Sequence, residues 1–227
     1  IGFIATLVTT WYGGILGVGE NTLLYGIQTW FIFALPYYFF AVIYAFFIAP
    51  RIREKGFLSL PDHFHNSFGE KAGITSALII SFLASPAPYI LSLGIILQFL
   101  FRIEFGLSLL ISTFVSIIYI WNGGFSAIVS TDRIQFVLMF IGFISLFTYL
   151  YIANGSPIKL MHKLPPSMLD PLGGNSLQYL LVWFFIASWT FIDPGFYQRC
   201  SAAKNPDTAK KGILLSIFFW AVFDFLT

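Results

Sequence analysis

The chain has 227 residues, of which 58% are hydrophobic, 20% aromatic and only 10% charged. Soluble domains carry about 25% charged residues, so this composition excludes a single water-soluble globule. The mean hydropathy of +0.83 indicates an all-α polytopic membrane protein. The formal net charge of +2 gives no sign of a nucleic-acid partner, and the single cysteine, Cys200, excludes an internal disulfide framework. Apolar runs begin and end the sequence, so we expect a fragment of a longer protein.

Seven apolar stretches predict membrane-spanning helices, each needing roughly 20 residues. In chain order these spans cover about residues 1–18, 27–49, 74–101, 106–120, 131–153, 176–198 and from 212 onward. Nine of the twelve basic residues, including Arg133 and Arg199, fall in the loops on one side of these spans. The positive-inside rule places that side in the cytoplasm. We therefore expect a multi-pass protein of the plasma membrane or the bacterial inner membrane, with span 1 running outward.

Spans 1 and 6 contain residues that weaken an α-helix. Span 1 carries TTWYGG at residues 9–14, and span 6 carries SWT and then DPG between residues 188 and 195. Each glycine costs about 1 kcal/mol relative to alanine inside a helix. Broken helices in two oppositely oriented halves are typical of a transporter site, where the freed backbone groups line a cavity. The alternative is close helix packing through the Gly13 and Gly17 spacing.

Four stretches resemble motifs of the sodium:solute symporter family, in the right order along the chain. They are TTWYGGILGVGENTLLYG in span 1, APRIREKGFLSLPDHFHNSFG in a basic inner loop, NGGFSAIVSTDRIQFVLMFIG before span 5, and QRCSAAKNPDTAKKG after span 6. The resemblance implies a LeuT-type 5+5 inverted repeat, truncated after about seven transmembrane helices. Residues 1–153 would form the first five-helix repeat of a single transporter domain, and residues 176–227 would begin the second.

The same resemblance implies a site for Na⁺ as the coupling ion. It places backbone carbonyls of Leu7 and Thr10 in the sodium site, whose other ligands belong to an eighth core helix beyond this sequence. Neutral oxygens suit a hard cation that must leave again. The hydroxyls of Thr9 and Thr10 either contribute to this site or satisfy their own helix.

Solute contacts are expected at the breaks of spans 1 and 6. The resemblance implies a substrate-facing position for Trp189 and Thr190, and Thr9, Trp11 and Tyr12 lie at the other break. Aromatic faces hold the apolar side of a solute while a few polar groups orient it. The alternative is that these aromatic rings pack against neighbouring helices or lipid.

Three polar residues are expected on the ion path or in a structural role. Asp193 lies inside span 6, where a carboxylate is a functional candidate or bonds amides freed by the break. The resemblance implies a place for Asp132 on the cytoplasmic sodium exit path, whereas the sequence alone favours an N-terminal cap for the helix of span 5. Gln135, one turn later, supports the same polar corner.

Two histidines, His63 and His65, follow Asp62 closely, but two histidines without further ligands are weak evidence for a metal. We expect a solvated cytoplasmic loop there, and solvated external positions for Glu20 and Glu104.

The function that these observations predict is a sodium-coupled secondary transporter that imports a small organic solute. It is not an enzyme, because no cluster of acids, bases or nucleophiles converges at one depth. The alternative is a membrane sensor that links a transporter-like domain to a cytoplasmic signalling domain. Without arginine or lysine in the predicted membrane core, a neutral or zwitterionic solute such as a sugar or amino acid is favoured. The expected partners are this solute, sodium and the lipid bilayer.

Overall fold

The structure is a computed structural model that describes the backbone of residues 1–227 and all side chains except those of residues 11–12, 119–120 and 122–123. Every regular element of the described backbone is a helix. The α-helices are α1 Gly2–Trp11, α2 Ile15–Tyr25, α3 Gln28–Phe33, α4 Leu35–Phe47, α5 Ala49–Lys55, α6 Leu60–Phe68, α7 Glu70–Leu83, α8 Ala87–Phe101, α9 Phe105–Asn154, α10 Pro157–Met161, α11 Leu177–Ile186, α12 Pro194–Ser201 and α13 Pro206–Leu226. Short 3₁₀ helices cover Tyr12–Gly14, Pro166–Met168 and Ala187–Phe191.

Helices occupy all seven predicted spans. Four stretches are long and apolar enough to cross a membrane, namely Gln28–Phe47, Glu70–Phe101, Gly124–Asn154 and Leu177–Ser201. The pair α1 and α2 would make a fifth span, bent by 52° at its break. At span 4 the apolar helix Phe105–Ile118 is shorter, so spans 4 and 7 remain predictions from the sequence. The protein is an all-helical, multi-pass membrane protein.

Both of the weakened spans are broken. Span 1 leaves α-helical geometry at Tyr12–Gly14 and resumes in α2, which continues to Tyr25 instead of ending near residue 18. Span 6 changes from α11 to the 3₁₀ helix Ala187–Phe191 and restarts as α12. The Pro194 ring has no N–H to satisfy, so it fits the first turn of the new helix.

The junction of spans 4 and 5 differs from the prediction. The chain turns at Gly124, whose φ of 52° and ψ of −157° suit glycine, and helical geometry resumes at once. Arg133 therefore lies on the helix and not in a turn. Asp132 lies about two turns after the break, so the prediction that it caps the helix of span 5 is wrong.

The buried core lies where α1, α4, α5, α12 and α13 meet. Val8, Tyr44, Trp220 and Phe223 are almost fully buried there. By contrast, the apolar windows of Glu70–Phe101 and Gly124–Asn154 are 6% and 0% buried within the chain. Most of their apolar side chains therefore face outward, as they do in helices that contact lipid or further helices.

The segment around the two histidines is a short helix and not a loop. Ser59 and Asp62 form a capping box at the start of α6. The ring of His63 packs edge-on against those of Phe57 and Tyr197. Partial burial, together with the charge of Lys55, lowers the pKa of His63.

Candidate functional site

A buried arginine joins the two broken spans. Arg199, on α12, is only 7% exposed. Its Nε donates to the Thr6 hydroxyl at 2.9 Å, and its Nη2 donates to the Thr6 carbonyl at 3.1 Å and to the Thr10 hydroxyl at 2.7 Å. Its Nη1 donates to the Gly195 carbonyl at 2.9 Å. We call this set, Arg199 with Thr6, Thr10 and Gly195, the Arg199 clamp.

The burial of Arg199 corrects two expectations. The sequence places Arg199 in a cytoplasmic segment after span 6, whereas α12 continues to Ser201 and Arg199 is buried within it. A basic side chain therefore does lie within the membrane-spanning stretch. The argument for a neutral or zwitterionic solute from the absence of arginine and lysine there no longer holds. The available signal in the sequence is the i, i+4 pair Thr6 and Thr10, whose oxygens share one face of α1. That spacing offers acceptors but does not identify the donor.

The sodium candidates lie in the last two turns of α1. The carbonyls of the last four residues of an α-helix have no intrahelical partner, which includes that of Thr10, since α1 ends at Trp11. Leu7 lies just before this group, and its side chain is buried in the core. The Thr10 hydroxyl donates to the Thr6 carbonyl at 2.7 Å and accepts from Arg199. Its backbone carbonyl is therefore the better candidate ligand.

A cavity of about 190 Å³ opens beside the break of span 1. It brings together Thr9 and Gln135, which the sequence assigns to the solute and to the ion path. The other lining residues are Gly13, Ile15, Met139, Phe143 and Phe223. The Thr9 hydroxyl donates to the Ala5 carbonyl at 2.9 Å, so its own helix is satisfied while its lone pairs remain able to accept.

Asp132 lies on the same helix as Gln135, three residues earlier. It is 7% exposed, and its Oδ2 has no hydrogen-bond partner among the described residues. Within those residues, the one ion pair inside 4.0 Å joins Lys211 to Asp207 at the surface. A buried carboxylate oxygen without a partner is costly, which makes Asp132 a candidate for binding a transient cation.

The break of span 6 is organised by Asp193. Its Oδ1 accepts from the backbone amides of Gly195 at 2.6 Å and Phe196 at 3.1 Å, and its Oδ2 accepts from the Trp189 indole at 3.2 Å. This matches the alternative in which Asp193 bonds amides freed by the break. Thr190 is 2% exposed, and its hydroxyl donates to the Ala187 carbonyl.

The structure does not bring all the predicted solute residues into one cavity. Trp189 lines a second cavity, of about 440 Å³, together with Phe64 and Lys71 from α6 and α7. The side chains of Trp11 and Tyr12 lie outside the described residues, so their predicted solute contacts have no structural account. Among the described side chains, no group of three or more His, Cys, Asp or Glu could hold a metal ion.

The glycines of span 1 differ in their surroundings. A Cβ on Gly13 would lie 2.1 Å from the Tyr89 ring, so close packing explains this glycine. A Cβ on Gly14 or Gly17 would meet no atom within 4 Å. A continuous packing face at the Gly13 and Gly17 spacing is therefore absent from the described residues, and the packing alternative applies to Gly13 alone.

Comparison with known proteins identifies the family. A model of the sodium:solute symporter family matches residues 5–227. The chain belongs to this family. Two proteins that the chain is similar to are the high-affinity choline transporter 1 of Caenorhabditis elegans and the sodium/pantothenate symporter of Haemophilus influenzae. They are 28% identical over 148 residues and 25% identical over 173 residues, respectively.

The matches cover 61% and 72% of this chain but only 25% and 36% of these two relatives. The high-affinity choline transporter 1 of Drosophila melanogaster is 29% identical over 145 residues, which is 61% of this chain and 23% of that protein. The chain therefore spans about a quarter to a third of the relatives that it matches. The sodium:solute symporter family and these relatives are transporters and not enzymes.

Proposed function

We propose that the chain forms one wall of a sodium-coupled symporter that imports a small organic solute by alternating access. The observation that carries this proposal is the pair of broken helices, spans 1 and 6, joined to each other by the buried guanidinium of Arg199. Irregular backbone is tolerated at membrane depth only where protein or a cavity satisfies it. Membership of the family supports the same function. Residues 1–153 would be the first repeat, and residues 176–227 the start of the second.

The sodium site would take the carbonyls of Leu7 and Thr10 as two of its ligands. The C-terminal end of a helix carries partial negative charge, which favours a cation at the end of α1. From there an ion would meet the cavity lined by Thr9 and Gln135 and then the unpartnered oxygen of Asp132. This order supports a sodium exit path along α9 toward the cytoplasm.

The solute would bind between the breaks of spans 1 and 6. Asp193 already occupies the first amides of α12, so that helix end is closed to a solute anion. This supports a neutral or zwitterionic solute such as a sugar or an amino acid. The relatives are named for choline and for pantothenate, so their names do not select one solute.

Sodium binding would stabilise the outward-open conformation and so raise the affinity for solute. By linkage, the solute must raise the affinity for sodium by the same factor. A transporter of this kind needs no covalent chemistry.

The test uses the full-length protein in proteoliposomes. Charge movement is recorded on addition of choline, pantothenate, pooled sugars and pooled amino acids, with sodium and then with potassium outside. We expect a current that requires sodium and one of these additions. Sodium-independent currents, or no current from folded protein, would refute sodium-coupled symport.

A pair of threonine variants tests the site. Thr9→Ala, at the cavity, should raise the solute concentration for half-maximal current by about tenfold, equivalent to about 1.4 kcal/mol. Thr148→Ala is the matched control, because Thr148 also donates to the carbonyl four residues earlier but is exposed on α9. Equal half-maximal concentrations for the two variants would exclude Thr9 from the solute site.

A further inference from the structure

The Arg199 clamp connects the cytoplasmic halves of the two broken spans. Three of its four hydrogen bonds cross from α12 to α1, and all three end on Thr6 or Thr10. α1 precedes the break of span 1 and α12 follows the break of span 6, so the clamp lies on the cytoplasmic side of both breaks in the orientation that the positive-inside rule predicts. It therefore ties together the two segments that would have to separate for the site to open inward.

The clamp is also the means by which a buried charge is satisfied. Arg199 has no carboxylate within 4.0 Å among the described residues, so its four hydrogen bonds all end on neutral oxygens of α1 and α12, while the charges of Asp132 and Asp193 act on it from farther away. Hydrogen bonds from a charged donor are about twice as strong as neutral ones, and they are stronger still where water is excluded. Removing an acceptor while the guanidinium stays buried leaves a donor unsatisfied, which costs more than the bond itself contributes.

The clamp acts on the turn of α1 that carries the candidate sodium carbonyls. Thr10 supplies its hydroxyl to Arg199 and its carbonyl to the candidate sodium site, and Thr6 is adjacent to Leu7. Fixing the two threonines thus fixes the conformation of this turn.

We propose that Arg199 is a positioning residue that locks α1 to α12 and holds the cytoplasmic side of the transporter closed. The inference rests on the proposed function, because it assigns to the clamp the inner closure of that transport cycle. Release of the three bonds to α1 is then the step that opens the site to the cytoplasm. The lock acts through the hydroxyl of Thr6 as well as through the guanidinium.

Cys200 provides a native reporter of this opening. It follows Arg199 directly, and it is 0% exposed in the core between α12 and the neighbouring helices. A thiol that is buried while the clamp is closed can react with a maleimide only when this region opens. Alkylation of Cys200 by N-ethylmaleimide, located by mass spectrometry, therefore measures the open population in the full-length protein.

The test compares Thr6→Val with Thr6→Ser in proteoliposomes, with sodium or potassium as the only added cation. Thr6→Val removes the acceptor for Arg199 Nε at nearly constant volume, whereas Thr6→Ser keeps the hydroxyl. Arg51→Gln is the surface control, since Arg51 is exposed and donates to the Phe47 carbonyl of its own segment.

We expect Thr6→Val to raise the alkylation rate of Cys200 about tenfold in potassium, which corresponds to about 1.4 kcal/mol. Thr6→Ser and Arg51→Gln should stay within about twofold of the parent rate, a range equivalent to about 0.4 kcal/mol. If Thr6→Val fails to fold, Thr10→Val removes one of the two acceptors of Nη2 and serves as the second variant. Parent rates in Thr6→Val, or equal acceleration in Thr6→Ser, would overturn the lock.

The same data separate the lock from the proposed function. Under the proposed function, sodium slows alkylation of the parent protein relative to potassium, because it stabilises the conformation closed to the cytoplasm. If sodium has no effect while Thr6→Val still accelerates alkylation, the lock stands and sodium coupling fails. If sodium slows the parent and Thr6→Val equally from the same starting rate, sodium coupling stands and the lock is refuted.

Discussion

The carboxylate of Asp193 holds three N–H donors at the break of span 6, so its replacement should have a defined cost. Two donors are the backbone amides of Gly195 and Phe196, and the third is the Trp189 indole. Loss of a helix N-cap costs about 1 kcal/mol. A hydrogen bond to a charged acceptor contributes about 1.5–3 kcal/mol. We therefore expect Asp193→Ala to lose about 3 kcal/mol of stability.

Asp193→Asn separates these two contributions. Asparagine caps helices about as well as aspartate, so its oxygen can keep the two amide bonds. Its side-chain amide nitrogen is a donor and cannot accept from the Trp189 indole. The expected loss is thus about half that of the alanine variant. Asn205→Ala is the matched control, because Asn205 caps α13 from an exposed position and has no indole partner.

The assay is thermal melting of the full-length protein in detergent, followed by sodium-dependent uptake in proteoliposomes. The expected order of melting temperature places the parent protein first, then the Asn205→Ala and Asp193→Asn variants, then Asp193→Ala. Equal destabilisation by Asp193→Asn and Asp193→Ala would refute the capping argument. A stable Asp193→Asn variant without uptake would instead show that the charge of Asp193 serves transport directly.

Two further predictions concern the ends of helices. In a thermal melt, Gly26→Ala should destabilise the protein by about 3 kcal/mol or more, because φ is +61° and a Cβ would lie 2.1 Å from the Met168 carbonyl oxygen. Gly56→Ala is the control, since Gly56 also has a positive φ but lies in open space, and it should cost only about 1 kcal/mol. Glu104 accepts hydrogen bonds from the backbone amides of residues 106–107, which lowers its pKa. Its carboxylate therefore stabilises the folded state at pH values above its ordinary pKa of 4.5. When melting is measured against pH, the parent should melt at a higher temperature than Glu104→Gln at about pH 7, and this difference should shrink as the pH falls below 4.5 toward the lowered pKa of Glu104 in the folded protein. A difference in melting temperature that persists in strong acid would contradict this assignment.

The sequence predicts the helices and the two breaks because both depend on local chemistry. Long apolar runs need helices to satisfy their backbone in a membrane, and the Gly13-Gly14 and Asp193-Pro194-Gly195 stretches weaken a helix wherever they occur. The alternative in which Asp193 bonds freed amides is equally local, and the structure has those bonds.

The environments of Asp132 and Arg199 could not be predicted in this way. Whether Asp132 caps the helix of span 5 depends on where that helix begins, and the conformation of Gly124 sets that starting point. A glycine pair permits a break but does not state on which side the helix resumes. The acceptors of Arg199 on α1 lie 189 and 193 residues away in sequence. Only the packing of α12 against α1 brings donor and acceptors together.

The helices that flank the two breaks present groups of opposite polarity, and one short segment contacts both helices. On α1, the Thr6 carbonyl and the hydroxyls of Thr6 and Thr10 accept from Arg199, whereas the start of α12 presents amides, which donate to Asp193. Both charged residues belong to residues 193–199, so they move with α12 as a unit. A displacement of α12 relative to α1 must therefore break the arginine bonds to Thr6 and Thr10 while the Asp193 cap travels intact. Under the proposed lock, the contact between α12 and α1 is therefore the one that has to break when the transporter opens to the cytoplasm.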